Sequence, residues 1–141
     1  MKRLFWIGLG SGLGGSLRYL IDLLVAGVAG LPPVLATFFI NITGSLLVGY
    51  LAGLWARQGV AQTQLDRWHF WVTGFCGGYT TFSIFSWQVL ALVEAGEGTL
   101  AGAYAAGSLG IGLIAVYIGL SLAVRRQAVH STQSEPPASK S

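Results

Sequence analysis

Charged residues are scarce in this chain of 141 residues, of which 9% are Asp, Glu, Lys or Arg and 53% are hydrophobic. A soluble domain carries charge on about a quarter of its residues. No charged residue occurs within 23–56, 68–93 or 98–124, and each range is longer than the roughly 20 residues that a helix needs to cross a bilayer. The scarcity of charge excludes an ordinary soluble domain and predicts an integral membrane protein.

Cysteine is nearly absent as well. Cys76 is the single cysteine, which excludes an internal disulfide and any metal site built from several cysteines. We expect no enzyme, because no nucleophile–base pair is recognisable and the two histidines fall at an expected interface and in the tail. The pI near 9.4 comes from Lys and Arg in loops and at the ends, a placement that fits membrane orientation better than nucleic-acid binding.

The apolar segments predict four membrane spans and a tail. The spans cover about 4–29, 33–56, 68–93 and 99–124. Tandem prolines separate the first two, a polar loop at 57–67 the next two, and a turn at 94–98 the last two. Residues 127–141 are polar and contain repeated Ser and Pro, so we expect them to be disordered. The predicted fold is an all-α, multi-pass domain over residues 1–126, surrounded by membrane lipid.

Glycine is abundant, with 21 residues where an average chain has about 7%. Small residues recur four apart, which places them on single helix faces. In lipid, such faces bring helix backbones into close contact. We therefore expect tight packing and an oligomer. The faces are Gly8/Gly12, Gly10/Gly14, Ser45/Gly49/Gly53 and Gly98/Gly102/Ala106/Gly110.

Three polar residues of the second span, Thr37, Asn41 and Ser45, lie four apart and share one helix face. Asn41 is the costly member in lipid, because its amide has four hydrogen-bonding positions to satisfy. Two interpretations remain open at this point. Asn41 forms hydrogen bonds across a helix interface, or the polar face lines a path through the membrane.

The third span contains an unusual polar segment, Gly74-Phe-Cys-Gly-Gly-Tyr-Thr-Thr-Phe-Ser-Ile-Phe-Ser86. Gly77 and Gly78 weaken a helix, whereas Thr80 and Thr81 are suited to start a new one as N-caps. This pattern predicts a broken helix, with one half ending near Gly77 and the other starting near Thr80. A break at membrane depth is tolerated only inside protein or beside a cavity, and transporters use such breaks as ion sites.

Aromatic and hydroxyl side chains flank this break. Phe82 and Phe85 are three apart, and their positive ring edges are able to coordinate an anion weakly, although ordinary packing is the alternative. Tyr104 and Ser108 of the fourth span, four apart, offer hydroxyl donors. In the first span, Arg18 lies four residues before Asp22, which predicts either an ion pair or an arginine that attracts anions to a vestibule.

Three motifs resemble the Fluc/CrcB fluoride channels: Gly14-Gly-Ser-Leu-Arg-Tyr19, Thr37-x-x-x-Asn41-x-x-Gly44 and the Gly74–Ser86 segment. The resemblance covers residues 1–126. It implies a passive channel that lets bacteria shed cytoplasmic fluoride through the inner membrane. It also implies an antiparallel, dual-topology dimer with two pores and a structural Na⁺ that is not transported. On this resemblance, backbone carbonyls of Gly77 and Thr80 hold the Na⁺, and Arg18 matches the conserved arginine. The pore residues are then Asn41, Phe82 and Phe85, and the polar track is Ser83, Tyr104 and Ser108.

Two features depart from that family. Ile84 stands where a second threonine is usual, so one hydroxyl of the track is lost. In a four-span arrangement, the basic residues of the loops and ends all fall on one side, which predicts a preferred orientation. Either this bias is overridden in a homodimer, or the partner is an oppositely oriented paralogue. These residues are Lys2, Arg3, Arg57, Arg67, Arg125 and Arg126.

Two other functions compete with a channel. A small multidrug-type proton antiporter also has four short spans, and Asp22 is the sole candidate for its proton-carrying carboxylate. Arg18, one turn away, would keep that carboxylate ionised. A helical assembly subunit that transports nothing is the third possibility. It would explain the small-residue faces, but it explains neither Asn41 nor the broken third span.

Overall fold

The computed structural model describes residues 1–55 and 62–133, and within these ranges it is helical and contains no strand. The all-α prediction is therefore confirmed. Residues 57–61 of the predicted polar loop at 57–67 lie outside the described residues, and the loop prediction is wrong for 62–67, which are helical. The first helix is α1 (Lys2–Asp22), which continues as a π-helical segment (Leu23–Val28), and α2 (Pro33–Trp55) follows. Helix α3 (Gln62–Trp68) continues as a second π-helical segment (His69–Cys76) and then as a single turn, α4 (Gly77–Tyr79). The last two helices are α5 (Ser83–Glu94) and α6 (Gly98–Gln133).

Glycines with positive φ end two of the helical stretches. Gly96 (φ 80°) follows α5, where its N–H donates to the Val93 carbonyl at 3.0 Å and the Glu97 N–H donates to the Leu92 carbonyl at 2.9 Å. This pair of bonds is the Schellman arrangement, which favours glycine because the left-handed backbone penalises a Cβ. Gly30 (φ 63°) ends the first π-helical segment in the same backbone region. Both glycines fall in turns that the sequence predicts.

Glycine contacts hold the helices together in two pairs. A methyl group at Gly10 or Gly14 of α1 would overlap backbone atoms of the second π-helical segment. In the other pair, a methyl group at Gly49 of α2 would overlap the Val116 carbonyl of α6, and one at Gly53 would overlap Ala123. These contacts confirm the close packing predicted for Gly10/Gly14 and for the Gly49/Gly53 face.

Other predicted small-residue faces meet nothing within the described chain. A methyl group would have no described neighbour outside its own helix backbone within 4 Å at five of these glycines: Gly8, Gly12, Gly98, Gly102 and Gly110. Large apolar side chains are exposed on α1, α2, α5 and α6, whereas the buried apolar core consists mainly of alanines with Ile40, Tyr79 and Phe85. This inversion of the usual soluble pattern means that apolar surface remains for lipid or another chain to cover. Two helices, Pro33–Trp55 and Gly98–Ala128, are long and apolar enough to cross a membrane.

Aromatic contacts gather four helix ends at one side of the bundle. The Trp55 ring at the end of α2 lies 5.8 Å from Trp68, and Trp6 near the start of α1 lies 6.2 Å from Phe70. The end of α6 joins them, because Arg126 donates to the Tyr50 hydroxyl at 2.6 Å. The described basic residues of loops and ends lie on these helix ends, so we name this side the basic end. Arg57 lies outside the described residues.

The last helix is longer than the sequence predicts. The predicted span stops at about Val124, with disorder from residue 127, but α6 continues to Gln133. Hydrogen bonds to α2 explain the extension: Gln127 donates to the Leu54 carbonyl at 2.8 Å, beside the Arg126 bond to Tyr50. The prediction of disorder is therefore wrong for 127–133. For 134–141 it lies outside the described residues.

Candidate functional site

The third predicted span is broken at Thr80. Helix α4 ends at Tyr79, Thr80 has extended backbone angles (φ −79°, ψ 159°), and α5 starts at Ser83. The predicted break is present, although the first half extends two residues past Gly77 and the second half starts after Thr80. Extended backbone between two helices leaves peptide groups without helical partners, so the partners of this segment decide what the break is able to do.

The two threonines serve different halves of the broken helix. Thr80 donates from its backbone N–H (3.0 Å) and from its hydroxyl (2.8 Å) to the Cys76 carbonyl, which closes the first half. The Thr81 hydroxyl accepts the Ile84 N–H at 3.3 Å and lies 3.3 Å from the Ser83 hydroxyl, at the start of α5. Phe82 occupies the N-cap position of α5, and Thr81 makes its hydrogen bond to the first turn from one residue earlier. The N-cap prediction is wrong for Thr80, whose hydroxyl bonds backwards to a carbonyl of the preceding turn.

Asn41 of α2 holds the broken backbone from the side. Its amide nitrogen donates to the Thr81 carbonyl at 2.9 Å, and its amide oxygen accepts the Thr81 N–H at 2.9 Å. This pair of bonds satisfies both peptide groups of Thr81, which have no helical partner. The interpretation of Asn41 as a bond across a helix interface is therefore correct. The amide has two N–H groups, and within the described residues the second one has no hydrogen-bond partner.

Asn41 also lines an open groove of about 390 Å³ beside the break. Gly77, Thr80 and Phe82 line the same groove, together with Gly44, Ser45, Val48, Val72, Cys76 and Thr81. The predicted pore asparagine, one predicted pore phenylalanine and both predicted Na⁺ ligands thus meet in one place. All side chains of this lining are uncharged, so the groove offers amide, hydroxyl and backbone groups together with an aromatic ring.

The two glycines before the break have different surroundings. Gly77 is exposed on the groove and has ordinary helical angles (φ −65°, ψ −36°). Apart from its own helix backbone, no described atom lies within 4 Å of the position that a methyl group on Gly77 would take. Gly78 faces the opposite way, where a methyl group would overlap the backbone of Ser11 in α1. Position 78 therefore requires glycine, because α1 packs closely against it. Position 77 would require glycine only if a second molecule packed into the groove.

Aromatic rings run from the groove towards α6. Phe82 is 75% exposed, and its ring lies 5.8 Å from that of Phe85, which is 8% exposed. The Phe85 ring in turn lies 5.3 Å from Tyr104. The predicted pair Phe82/Phe85 therefore forms a row with Tyr104, in which Phe82 is exposed, Phe85 is buried and Tyr104 is half-buried.

A buried glutamine continues this row as a hydrogen-bonded chain. The Tyr104 hydroxyl donates to Gln88 Oε1 at 2.8 Å, and Gln88 Nε2 donates to the Thr37 hydroxyl at 3.0 Å. Gln88 is only 5% exposed and connects α2, α5 and α6. Sequence reasoning missed it, although the signal was the one that identified Asn41: an amide inside an uncharged apolar run.

Ser108, one turn after Tyr104, is half-buried, and its hydroxyl oxygen is buried without a hydrogen-bond partner in the part of the chain that the structure describes. A buried hydroxyl without a partner is uncommon, because its desolvation is then uncompensated. The predicted pair Tyr104/Ser108 is therefore split: Tyr104 belongs to the chain through Gln88, and Ser108 keeps an unused donor and acceptor.

Arg18 of α1 contacts the helical turn just before the break, on the side away from the groove. Its guanidinium Nε donates to the Gly78 carbonyl at 3.3 Å. Among the described residues it forms no ion pair with Asp22, so the ion-pair interpretation is wrong. Helix α4 is also tied to α2, where the Tyr79 and Thr43 hydroxyls share a hydrogen bond of 2.9 Å. Tyr79 and Thr43 are further residues that sequence reasoning missed.

Comparison with known proteins identifies the family. Residues 5–120 match the family described as "CrcB-like protein, Camphor Resistance (CrcB)". The chain belongs to the CrcB family. The "Fluoride-specific ion channel FluC 1" of Bradyrhizobium diazoefficiens is 42% identical over 85% of this chain and 83% of its own. The proteins named "Fluoride-specific ion channel FluC" of Rhizobium meliloti and Methylobacterium nodulans are 41% and 44% identical, over 86% and 84% of this chain and 96% and 91% of their own.

The site of this CrcB chain thus has two connected parts. The groove holds Asn41 with the exposed ring of Phe82, and the buried chain joins Phe85, Tyr104 and Gln88 by contact and hydrogen bonding. Both parts offer neutral donors and ring edges, and none of the described residues that line the groove has a cationic side chain. Such groups attract an anion only weakly, so they are able to replace part of its hydration without holding it permanently.

Proposed function

We propose that this CrcB chain is a fluoride-specific ion channel that exports fluoride passively. The observation that carries the proposal is the set of neutral donors at the helix break, found in a chain about 40% identical to proteins named as fluoride-specific channels. Fluoride binds water strongly, so a pore must replace that water with donors of its own. The free Asn41 N–H, the hydroxyls and the phenylalanine edges are donors of this kind.

Two parts of the site have different roles in this proposal. Phe82 and Asn41 coordinate fluoride where it enters at the groove. Tyr104 and Ser108 coordinate it farther along its path. Ser108 has an unused hydroxyl, and its burial supports a role for that hydroxyl with a ligand. The Tyr104 hydroxyl already donates to Gln88. Tyr104 therefore coordinates fluoride either after this hydrogen bond breaks or through the edge of its ring.

The architecture of the proposed channel is four spans in an antiparallel, dual-topology dimer. The exposed small-residue and apolar faces support a second copy, and Gly77 and Thr80 lie on an open groove that such a copy would cover. The basic end supports a preferred orientation in the inner membrane, with Lys and Arg inside. The partner is therefore either an identical chain inserted against this bias or an oppositely oriented paralogue.

A structural Na⁺ belongs to the same proposal. The described residues contain no group of three or more His, Cys, Asp or Glu that would hold a metal. The oxygens at the groove come instead from backbone, hydroxyl and amide groups, which suit a hard cation. Gly77 and Thr80 would hold the ion through their carbonyls, with the same pair from a second copy completing four ligands. Bound there, Na⁺ would link the two copies.

Fluoride efflux from liposomes that contain only this purified chain tests the proposal. A fluoride electrode measures release after valinomycin permits K⁺ to follow, with protein-free liposomes as the control. We expect fluoride release and no comparable chloride release. Inserted, dimeric protein without efflux would contradict the channel, and equal chloride efflux would contradict its specificity. Efflux by this chain alone would exclude a required paralogue.

A further inference from the structure

Two adjoining cavities lie at the basic end, outside the site described above. One, of about 380 Å³, is lined by Trp6, Asp66, Arg67, Phe70 and Trp71. The other, of about 460 Å³, is lined by Met1, Lys2, Phe5, Trp6 and Asp66. They share Trp6 and Asp66, so they form one recess between the start of α1 and the α3 segment. We name it the headgroup recess.

Three charged side chains of the headgroup recess are unused. Within the described ranges, Lys2, Asp66 and Arg67 form no ion pair and no side-chain hydrogen bond. Lys2 and Arg67 carry positive charge and Asp66 carries negative charge, so the side chains that line the recess are net positive, and the amino group of Met1 adds to this positive charge. Opposite charges that share a recess without pairing with each other remain available to a ligand that has both an anionic group and a hydrogen-bond donor.

The walls of the headgroup recess are aromatic and are fixed by edge-to-face contacts. Trp6 and Phe70 lie 6.2 Å apart at 86°, and Phe70 and Trp71 lie 5.0 Å apart at 87°. Phe5 and Trp71 are exposed, so the apolar wall continues onto the outer surface of the bundle. Tryptophan beside Lys and Arg at the end of an apolar helix is typical of the level where lipid headgroups meet acyl chains.

We propose that the headgroup recess binds an anionic glycerophospholipid whose headgroup carries hydroxyl groups, such as phosphatidylglycerol. Arg67 and Lys2 would bind the negatively charged phosphodiester through charge-assisted hydrogen bonds. The headgroup hydroxyls would donate to Asp66. The acyl chains would follow the exposed faces of Phe5 and Trp71, which a small soluble anion would leave uncovered. The proposal depends on membrane insertion and is independent of fluoride conduction.

Native mass spectrometry of the detergent-purified chain, titrated with single lipids, tests this site. We expect phosphatidylglycerol to stay bound in preference to phosphatidylethanolamine and phosphatidylcholine, and glycerol 3-phosphate not to compete. Arg67→Gln and Lys2→Gln should each weaken binding about fivefold, the effect of about 1 kcal/mol per cation near a lipid surface. Arg3→Gln is the matched control, because it removes the same charge on the same helix turn but does not line the recess.

Asp66→Asn tests the hydroxyl contact separately. The native chain should prefer phosphatidylglycerol to phosphatidylmethanol, which has the same phosphodiester but no headgroup hydroxyl, and Asp66→Asn should remove that preference. Equal weakening by Arg3→Gln and Arg67→Gln would overturn the proposal in favour of general attraction to the basic end. Equal retention of phosphatidylethanolamine, or competition by glycerol 3-phosphate, would overturn it as well. Thermal unfolding of each variant without lipid identifies any loss of binding that follows from misfolding.

Discussion

Asn41→Asp separates the two roles of Asn41, because it preserves one of the two bonds to Thr81 and changes the charge of the groove. The carboxylate still accepts the Thr81 N–H, but it has no donor for the Thr81 carbonyl. The lost bond costs about 1 kcal/mol of unfolding free energy, or up to about 3 kcal/mol if the carbonyl stays without a partner. We therefore expect a folded protein with a lower Tm.

The effect on conduction should be much larger. A carboxylate about 4 Å from a fluoride ion repels it by about 4 kcal/mol at the effective dielectric of a partly buried site. At 1.36 kcal/mol per factor of ten, this corresponds to a fall in flux of about a thousandfold. Liposome efflux measures the flux, and thermal unfolding in the same detergent measures the stability.

Asn41→Ala is the matched comparison, since it removes both bonds to Thr81 and adds no charge. It should destabilise the protein more than Asn41→Asp, because two bonds are lost, yet it should reduce flux less. The reverse order, with Asn41→Ala blocking flux more completely than Asn41→Asp, would refute an anion path at Asn41. The residue would then serve only to hold the break.

Further predictions concern the glycine pair, the buried glutamine and the membrane carboxylate. Gly78→Ala should destabilise the chain by about 1–3 kcal/mol, because its methyl group overlaps the Ser11 backbone. Gly77→Ala should leave the stability of the fold unchanged and lower the dimer fraction in size-exclusion chromatography. Equal effects of the two substitutions would contradict the different roles assigned to Gly77 and Gly78. Gln88→Leu should lower thermal stability and slow fluoride efflux, because the bonds of Gln88 to Thr37 and Tyr104 no longer hold α2, α5 and α6 in position around the row; unchanged efflux would remove this positioning role from Gln88. Asp22→Asn should leave most fluoride efflux intact, whereas a loss of all transport would favour the proton antiporter.

The amino-acid sequence alone was sufficient to predict a helical membrane protein and the region of the break. Uncharged runs longer than roughly 20 residues fit a bilayer, where a chain must satisfy its backbone hydrogen bonds internally, and this favours helices. The region of the break was predictable because glycine weakens a helix and threonine favours the start of one, although the structure places the break at Thr80, after both glycines. The motifs at 14–19, 37–44 and 74–86 were sufficient to predict the family.

Which polar groups contact each other depends on the packing of the helices. Four-residue spacing suggested that Arg18 pairs with Asp22, but the packing of α1 against the third span brings the Gly78 carbonyl to Arg18 instead. The same packing brings the Ser11 backbone against Gly78 and leaves Gly77 exposed on the groove. The role of Gln88 depends on Thr37 and Tyr104, which are 51 and 16 residues away. Periodicity along one helix defines its faces, whereas the partner of a polar group depends on how separate helices cross, and that is a property of the whole fold.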